Sequence, residues 1–561
     1  MLGVYSKAEP EILSCEAGKP GFSFYFDLIA PIWRNCQAEG AVHRLCSLMR
    51  KMGAKTLLRE ALEPNEEIGQ ESEDLETRVG KSLRREPQAF RFSFFSASCP
   101  EKNQWREQLP RTSFLGYAVI LKAALPTDVP IVAQRCRSGQ MAHVLEAVTR
   151  PPGWAVENDR AEYTTEGVTN YYVHCQRKFE TTVGPRGASK DYSLNGAFFC
   201  QQNGLTHVCA HAALRMVFNT ADGLLRQKAT NRQLNEALGI DHKTEATSLT
   251  EDGLSVEQIL AICKHFGLNV VGGNFILFPT VDYAQWTYPL VESGYPVLLA
   301  FHPTHATGHV VTVIGHTMNS DKWDCEAHLA YRPEAFGTYH ASAAWVDHFI
   351  INDDNFGMYT CMPPAYLRSR TLPQYDVTER AEFAMAFVPP RIDVPPYFAE
   401  KAVIGLLEQF QKVYQPSPGN KWLERIWQQL RQPTKGIVAR TLACKKKEYI
   451  AHLKAELDSD GKGPVSAIPS ALAAPPEDLW LTEISLPDLY TANKHKLGDM
   501  LTGAKAGLQG GQPVANFVWG WLPGVEVPVN PQAGGAVATW PLTGHVPVLR
   551  PRMVLGPHRE W

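Results

Sequence analysis

The longest apolar runs in this chain are short. Tyr295-Pro-Val-Leu-Leu-Ala-Phe301 and Val310-Val-Thr-Val-Ile-Gly315 have the length of buried β-strands. A helix that spans a bilayer needs about 20 consecutive apolar residues. The sequence therefore predicts sheets and amphipathic helices with no membrane span. The first residues lack a basic start followed by an apolar core, so no signal peptide is expected. The twelve cysteines are scattered without a Cys-x-x-Cys pair, which argues against a disulfide framework and against a zinc finger. A reducing, cytoplasmic setting follows as the expectation.

A length of 561 residues suggests several domains. The net charge of −3 carries no electrostatic footprint for nucleic acid, and none is expected as a partner. The boundaries are read at 1–190, a mixed and β-rich part of unknown role; 191–370, a middle domain; and 371–561, helical and then β-containing. In the first part, Glu66 to Glu76 holds six acids and no base, followed by Arg78, Lys81, Arg84 and Arg85. This run reads as a solvated helix or loop. Strand-like runs follow at 91–95, 117–121 and 171–175. In the middle part, 209–219 has helical spacing, with Ala210, Ala213, Leu214, Val217 and Phe218 apolar. Ser255-Val-Glu-Gln258 is a capping box that opens a second helix, and Gly267 closes it. Strands are expected at 297–301, 310–315 and 346–352. In the last part, two amphipathic helices are striped by Val403, Leu406, Leu407 and Phe410 and by Trp422, Leu423, Ile426, Trp427 and Leu430. A linker is expected over 458–478. The tryptophans in 479–486 and 517–522 read as core.

Four pieces of the middle part fit one chemistry. Cys209 begins a helix after a Gly-containing loop, where the partial positive charge and free N–H groups of a helix start favour a thiolate. Cys200 and Cys263 lie in apolar runs and read as buried and structural. His309, after Gly308, opens an apolar strand and suits a general base. Asp353, in Asn352-Asp353-Asp354-Asn355, follows another strand and has the chemistry to orient an imidazole through its second nitrogen. Asp354 is the alternate. Gln202 offers a side-chain amide to an oxyanion hole beside the Cys209 N–H, with Gln201 as the neighbouring candidate.

The order of Gln, Cys at a helix start, Gly-His opening a strand, and Asn-Asp after another strand resembles papain-like cysteine peptidases. The nearest branch is the bacterial bacteriocin-processing, double-glycine type with its stand-alone relatives. Gly253-Leu-Ser-Val-Glu-Gln-Ile-Leu260, Gly267-Leu-Asn-Val270 and Gly294-Tyr-Pro-Val-Leu-Leu299 are similar to that family's second helix, its following strand and the strand before the histidine. The likeness covers about 195–360. It implies an α+β fold: a papain-like domain, with the Cys-bearing helix packed on an antiparallel sheet, flanked by mixed α/β N- and C-terminal domains. It implies Cys209 as nucleophile, His309 as base, Asp353 as orienting acid and Gln202 as oxyanion donor. The expected activity is hydrolysis of a peptide or isopeptide amide through a thioester, with protein or peptide as substrate. Transamidation by the same triad, and a non-catalytic protein-binding scaffold, are the alternatives. The chain departs from the pattern at Ala210, where the family often has Gly, and at Asp354, where Pro is common. It has neither a membrane span nor a phosphate-binding loop, so leader processing during export is not the expected task.

A metal centre is the rival chemistry, through His302, His305 and His309 and through His207 and His211. Pro303 and Gly308 break the first set as a helix, and no acid sits at a familiar spacing. These histidines are expected mostly at the surface or in loops, with no metal and no cofactor.

Overall fold

A computed structural model describes residues 5–14, 22–33, 40–136, 138–152, 171–221, 224–225, 228–239, 253–279, 281–302, 308–318, 339–367, 380–416, 419–432, 436–460, 472, 476–493, 495–509, 512–514, 516–528, 540–541 and 550–555. The fold is α+β, built on three seven-stranded sheets whose strand pairings are almost all antiparallel. Among the described residues no helix is long and apolar enough to cross a membrane.

The first sheet runs in the order Glu11–Ser14, Thr56–Ala61, Arg85–Phe95, Phe114–Ala124, Gln140–Thr149, Lys190–Phe199, Arg177–Val183. The second runs Gly357–Met362, Val346–Asp353, His309–Met318, Val297–His302, Arg380–Val388, Asn269–Asn274, and Tyr171–Val173 also pairs with His309–Met318. The third begins with Tyr339–Ala341 beside Ile437–Lys445 and continues through Asp478–Ser485, Gly498–Gly503 and Phe517–Leu522 to two short edge strands. Several strands cross the boundaries expected at 190 and 370. Lys190–Phe199 belongs to the first sheet. Tyr171–Val173 and Arg380–Val388 belong to the second, and Tyr339–Ala341 to the third.

The helix Cys209–Thr220 is the hub of the middle layer. Every residue from Ala210 to Thr220 is buried, as expected of a helix that is covered on all sides. Ala213, Leu214, Val217 and Phe218 pack with Leu298, Val310, Met385 and Phe387 of the second sheet. Ala212 and Met216 join the larger core shared with the first sheet. The Thr312 hydroxyl donates to the Ala213 carbonyl at 3.2 Å and pins helix to strand. The helix Val256–His265 starts at Ser255, whose side chain accepts from the Gln258 N–H while Gln258 accepts from the Ser255 N–H. Gly267 follows with φ +68°, the left-handed conformation that closes the helix. The helices Pro396–Val413 and Lys421–Leu430 bury Val403, Leu407 and Phe410 and Leu423, Ile426, Trp427 and Leu430. Trp480, Trp519 and Trp521 are fully buried in the third sheet. Most of the linker expected over 458–478 lies outside the described residues.

Candidate active site

Cys209 is the first residue of its helix and is partly exposed. The nine-residue loop before it, 200–208, is fastened at many points. Asn203 Oδ1 accepts from the Leu205 and Thr206 N–H groups at 2.8 and 2.9 Å, an Asx turn that Gly204 completes with φ +70°. His211 Nδ1 accepts from the Val208 N–H at 3.5 Å, the reciprocal half of a capping box, while its Nε2 meets Asn235 Oδ1 at 2.7 Å. His211 is thereby committed to the fold at both ring nitrogens.

His309 is the first residue of His309–Met318, paired across the sheet with Phe301, whose ring meets its edge at 5.5 Å. Its Nε2 lies 3.2 Å from Asp353 Oδ2 and 3.9 Å from Asp354 Oδ1. The Cys209 thiol stands within hydrogen-bonding reach of the same ring. With Nε2 taken by Asp353, Nδ1 is the nitrogen left for the sulfur. Burial of the ring opposes its charge, but hydrogen bonds to Asp353 and Cys209 and the charges of Asp353 and Asp354 outweigh this and push the imidazolium up to about 11.

The two aspartates have different surroundings. Asp353 closes its strand, and its Oδ1 accepts from the Asn355 and Phe356 N–H groups at 2.8 and 3.3 Å, which aims Oδ2 at His309. Asp354 is 1% exposed, and neither oxygen makes a hydrogen bond of ordinary geometry, although the Gln202 N–H faces its carboxyl. Burial pushes Asp354 up to about 7 against the pull of His309, and Asp353 adds to the rise. Asp353 is thus the residue placed to orient the imidazole.

The two glutamines separate in the same way. Gln201 Oε1 accepts from the Val144 N–H at 3.0 Å and its Nε2 donates to the Asp354 carbonyl at 3.1 Å. Its amide is committed at both ends and is withdrawn as an oxyanion donor. Gln202 is half-buried beside it. The Gln loop and the Asp loop are tied together through Gln201 and Asp354.

The acidic run is not a solvated face. Residues Glu66–Val79 form a helix capped by Asn65, and Glu71 is 3% exposed. Glu67, Glu71 and Asp74 stand at i, i+4 and i+7, one face of a helix, and that face docks on the Cys209 helix and its surroundings. Glu67 pairs with Arg215 and Lys228, and Asp74 with Arg232 at 2.7 Å. Glu71 accepts from Asn231 at 2.7 Å and Asn203 at 3.4 Å and faces His207 Nε2 at 3.5 Å. Burial alone would raise Glu71, but His207, His143 and Arg215 hold it well below the ordinary carboxylate range. His207 and His211 are therefore buried rather than at the surface. The i, i+4, i+7 spacing was the signal available in the sequence; the basic partners lie more than a hundred residues away.

Three groups among the described residues bring ligand-type atoms together: His309, Asp353 and Asp354; Glu71, His143 and His207; and His174, Glu292 and His316. The first is the site just described. In the second, His207 Nδ1 accepts from the Asn203 N–H at 3.3 Å, which places the ring proton on Nε2 and occupies the atom an ion would need. The rival set of His302, His305 and His309 is not among these groups. His302 is exposed and bonded to Glu382, and His305 lies outside the described residues.

A scan against protein-family models finds no match, and a search of curated proteins finds none either.

Proposed function

We propose that this protein is a cysteine-dependent amide hydrolase of papain-like architecture. The observation that carries the reading is the convergence of Cys209, His309 and Asp353 from a helix start, a strand start and a strand end. His309 takes the Cys209 proton and holds it as an imidazolium that Asp353 stabilises. The thiolate attacks the amide carbonyl carbon, and the C–N bond breaks as His309 protonates the leaving amine. Water then hydrolyses the thioester. Gln202 and the Cys209 N–H are the oxyanion donors, where loss of one donor costs about 3 kcal/mol of barrier. The substrate class is a peptide or isopeptide. Nine described cysteines are all free thiols, which supports a reducing, cytoplasmic setting.

Thiol labelling tests this. A haloacetamide probe at neutral pH is expected to modify Cys209 first, at a rate at least ~10² above Cys361, the exposed cysteine, and His309→Ala is expected to abolish the difference. Labelling of Cys209 no faster than of Cys361 in the folded wild type ends the enzyme reading and leaves the binding scaffold.

A further inference from the structure

The far end of the His309 strand carries a second convergence. His316 lies on this strand, Glu292 ends the helix Tyr283–Glu292, and His174 follows Tyr171–Val173, which pairs with Gly315–Thr317. His316 Nε2 is 2.6 Å from Glu292 Oε2, His174 Nε2 is 3.1 Å from the same oxygen, and the two Nε2 atoms are 3.2 Å apart.

Protons alone leave this triangle in conflict. Arg440 donates from Nε at 3.1 Å and from Nη2 to the other oxygen of Glu292, Oε1, which leaves Oε2 to the two imidazoles. Oε2 then attracts each imidazole only if each carries its hydrogen on Nε2. Both N–H groups then aim at one oxygen, which crowds two like-signed donors 3.2 Å apart. Moving one proton to Nδ1 sets a bare nitrogen lone pair against the carboxylate oxygen. Each arrangement leaves one of the three contacts repulsive, in a site where Glu292 and His316 are buried. A cation makes all three attractive. Tetrahedral bonds of ~2.0–2.2 Å set neighbouring ligand atoms ~3.3–3.6 Å apart; the spacings of 3.1 and 3.2 Å lie just inside this, and the 2.6 Å between His316 and Glu292 has to open as the ion enters.

We propose that His174, His316 and Glu292 hold a divalent transition-metal ion, with zinc favoured by the ligand types. The side chain of His174 is 21% exposed, so the ion has a route in and a position for water. The role is structural. Arg440 lies in the third sheet and pairs with both Glu292 and Glu483, so the ion braces the segment Tyr171–Val173 with His174, the strand His309–Met318 and the third sheet at one point. The site is separate from the proposed thiol chemistry.

The test uses the full chain carrying Cys209→Ala, which removes the thiol beside His309 as a competing ligand. Chelator-stripped protein is offered Zn²⁺ or Co²⁺, and metal content after gel filtration, cobalt d–d absorption and Tm are read. The expected result is about one equivalent retained and a raised Tm, with His174→Ala weakening binding at least ~10-fold. Because His174 is partly exposed, that variant is expected to fold; Glu292→Gln is the second variant. Stripped protein that retains no metal and keeps an unchanged Tm overturns the proposal, as does full retention in both variants.

Discussion

At the scale of the residue, two adjacent aspartates are given opposite jobs by their environments. Asp353 is held by backbone N–H groups with one oxygen on His309, whereas Asp354 is buried against the Gln loop. Asp353→Asn is expected to move the His309 titration, followed by NMR of the ring, well down from about 11, and to cut amidase or labelling rates by ~10²–10⁴. Asp354→Asn is expected to leave rates within a few-fold and to stabilise the fold. The sign follows from linkage. The folded carboxyl titrates at about 7 and the unfolded one near 3.9, so the native chain binds the extra proton between them and loses stability as pH rises through that window. The advantage of the variant should grow from about pH 4 to pH 7 and then level at a few kcal/mol in urea melts. An advantage that is flat with pH would contradict the assignment. The residue types were legible in the sequence because each stands at the end of a locally readable element. The choice between Asp353 and Asp354, and between Gln201 and Gln202, was not. It depends on which amide is consumed by Val144 and which carboxyl lacks hydrogen bonds, and those partners come from other strands.

At the scale of the element, the helix Glu66–Val79 shows how charge patterning misleads. A run of six acids looks solvated until its partners are in place. Arg215 sits inside a helix buried along its length, 1% exposed, and that buried cation needs the facing carboxylate of Glu67. The helix also reaches the loop before Cys209 directly, since Arg78 donates to the Leu205 carbonyl at 3.2 Å. A segment of the N-terminal part therefore sets the position of Cys209. Glu71→Ala is expected to destabilise the chain by about 3 kcal/mol, because Asn203, Asn231 and His207 lose a shared buried acceptor. It is also expected to slow Cys209 labelling while leaving the labelling of Cys361 unchanged. The pH signature separates charge from packing. Glu71 is held low in the folded chain, so its contribution is present above an unfolded value of ~4.3 and fades on acidification toward the folded one. Wild type and variant melts should converge as pH falls; a constant gap would mean that packing alone is lost.

At the scale of the whole molecule, the question is whether the middle part is an independent unit, and the topology answers against it. The strand Arg380–Val388 lies between Val297–His302 and Asn269–Asn274. Removing it separates those two strands and uncovers Leu298, Leu299 and Val271, all buried in the full chain. Tyr359, with φ +53°, is held in place by Asn352 Oδ1, while its hydroxyl sits between the Thr149 carbonyl and the Ala197 N–H of the first sheet. The turn that presents Asp353 is therefore anchored across two sheets. The neighbouring Gly40 leaves room for the Asn355 carbonyl, which a Cβ would strike at 2.2 Å. A fragment of residues 191–370, the span that the sequence marks as a domain, is thus expected to show no cooperative urea transition and no preferential labelling at Cys209. A fragment of 171–394 restores every strand of the second sheet. It still lacks Glu67 and Glu71 opposite Arg215 and His207, and Arg440 opposite Glu292, so it is expected to fold with reduced stability and slow labelling. Only the full chain should combine a sharp transition with a fast thiol. Cooperative folding of 191–370 with wild-type labelling would show that the crossing strands and the acidic helix are accessory, and that the arrangement of Cys209, His309 and Asp353 is set within the span read from the sequence.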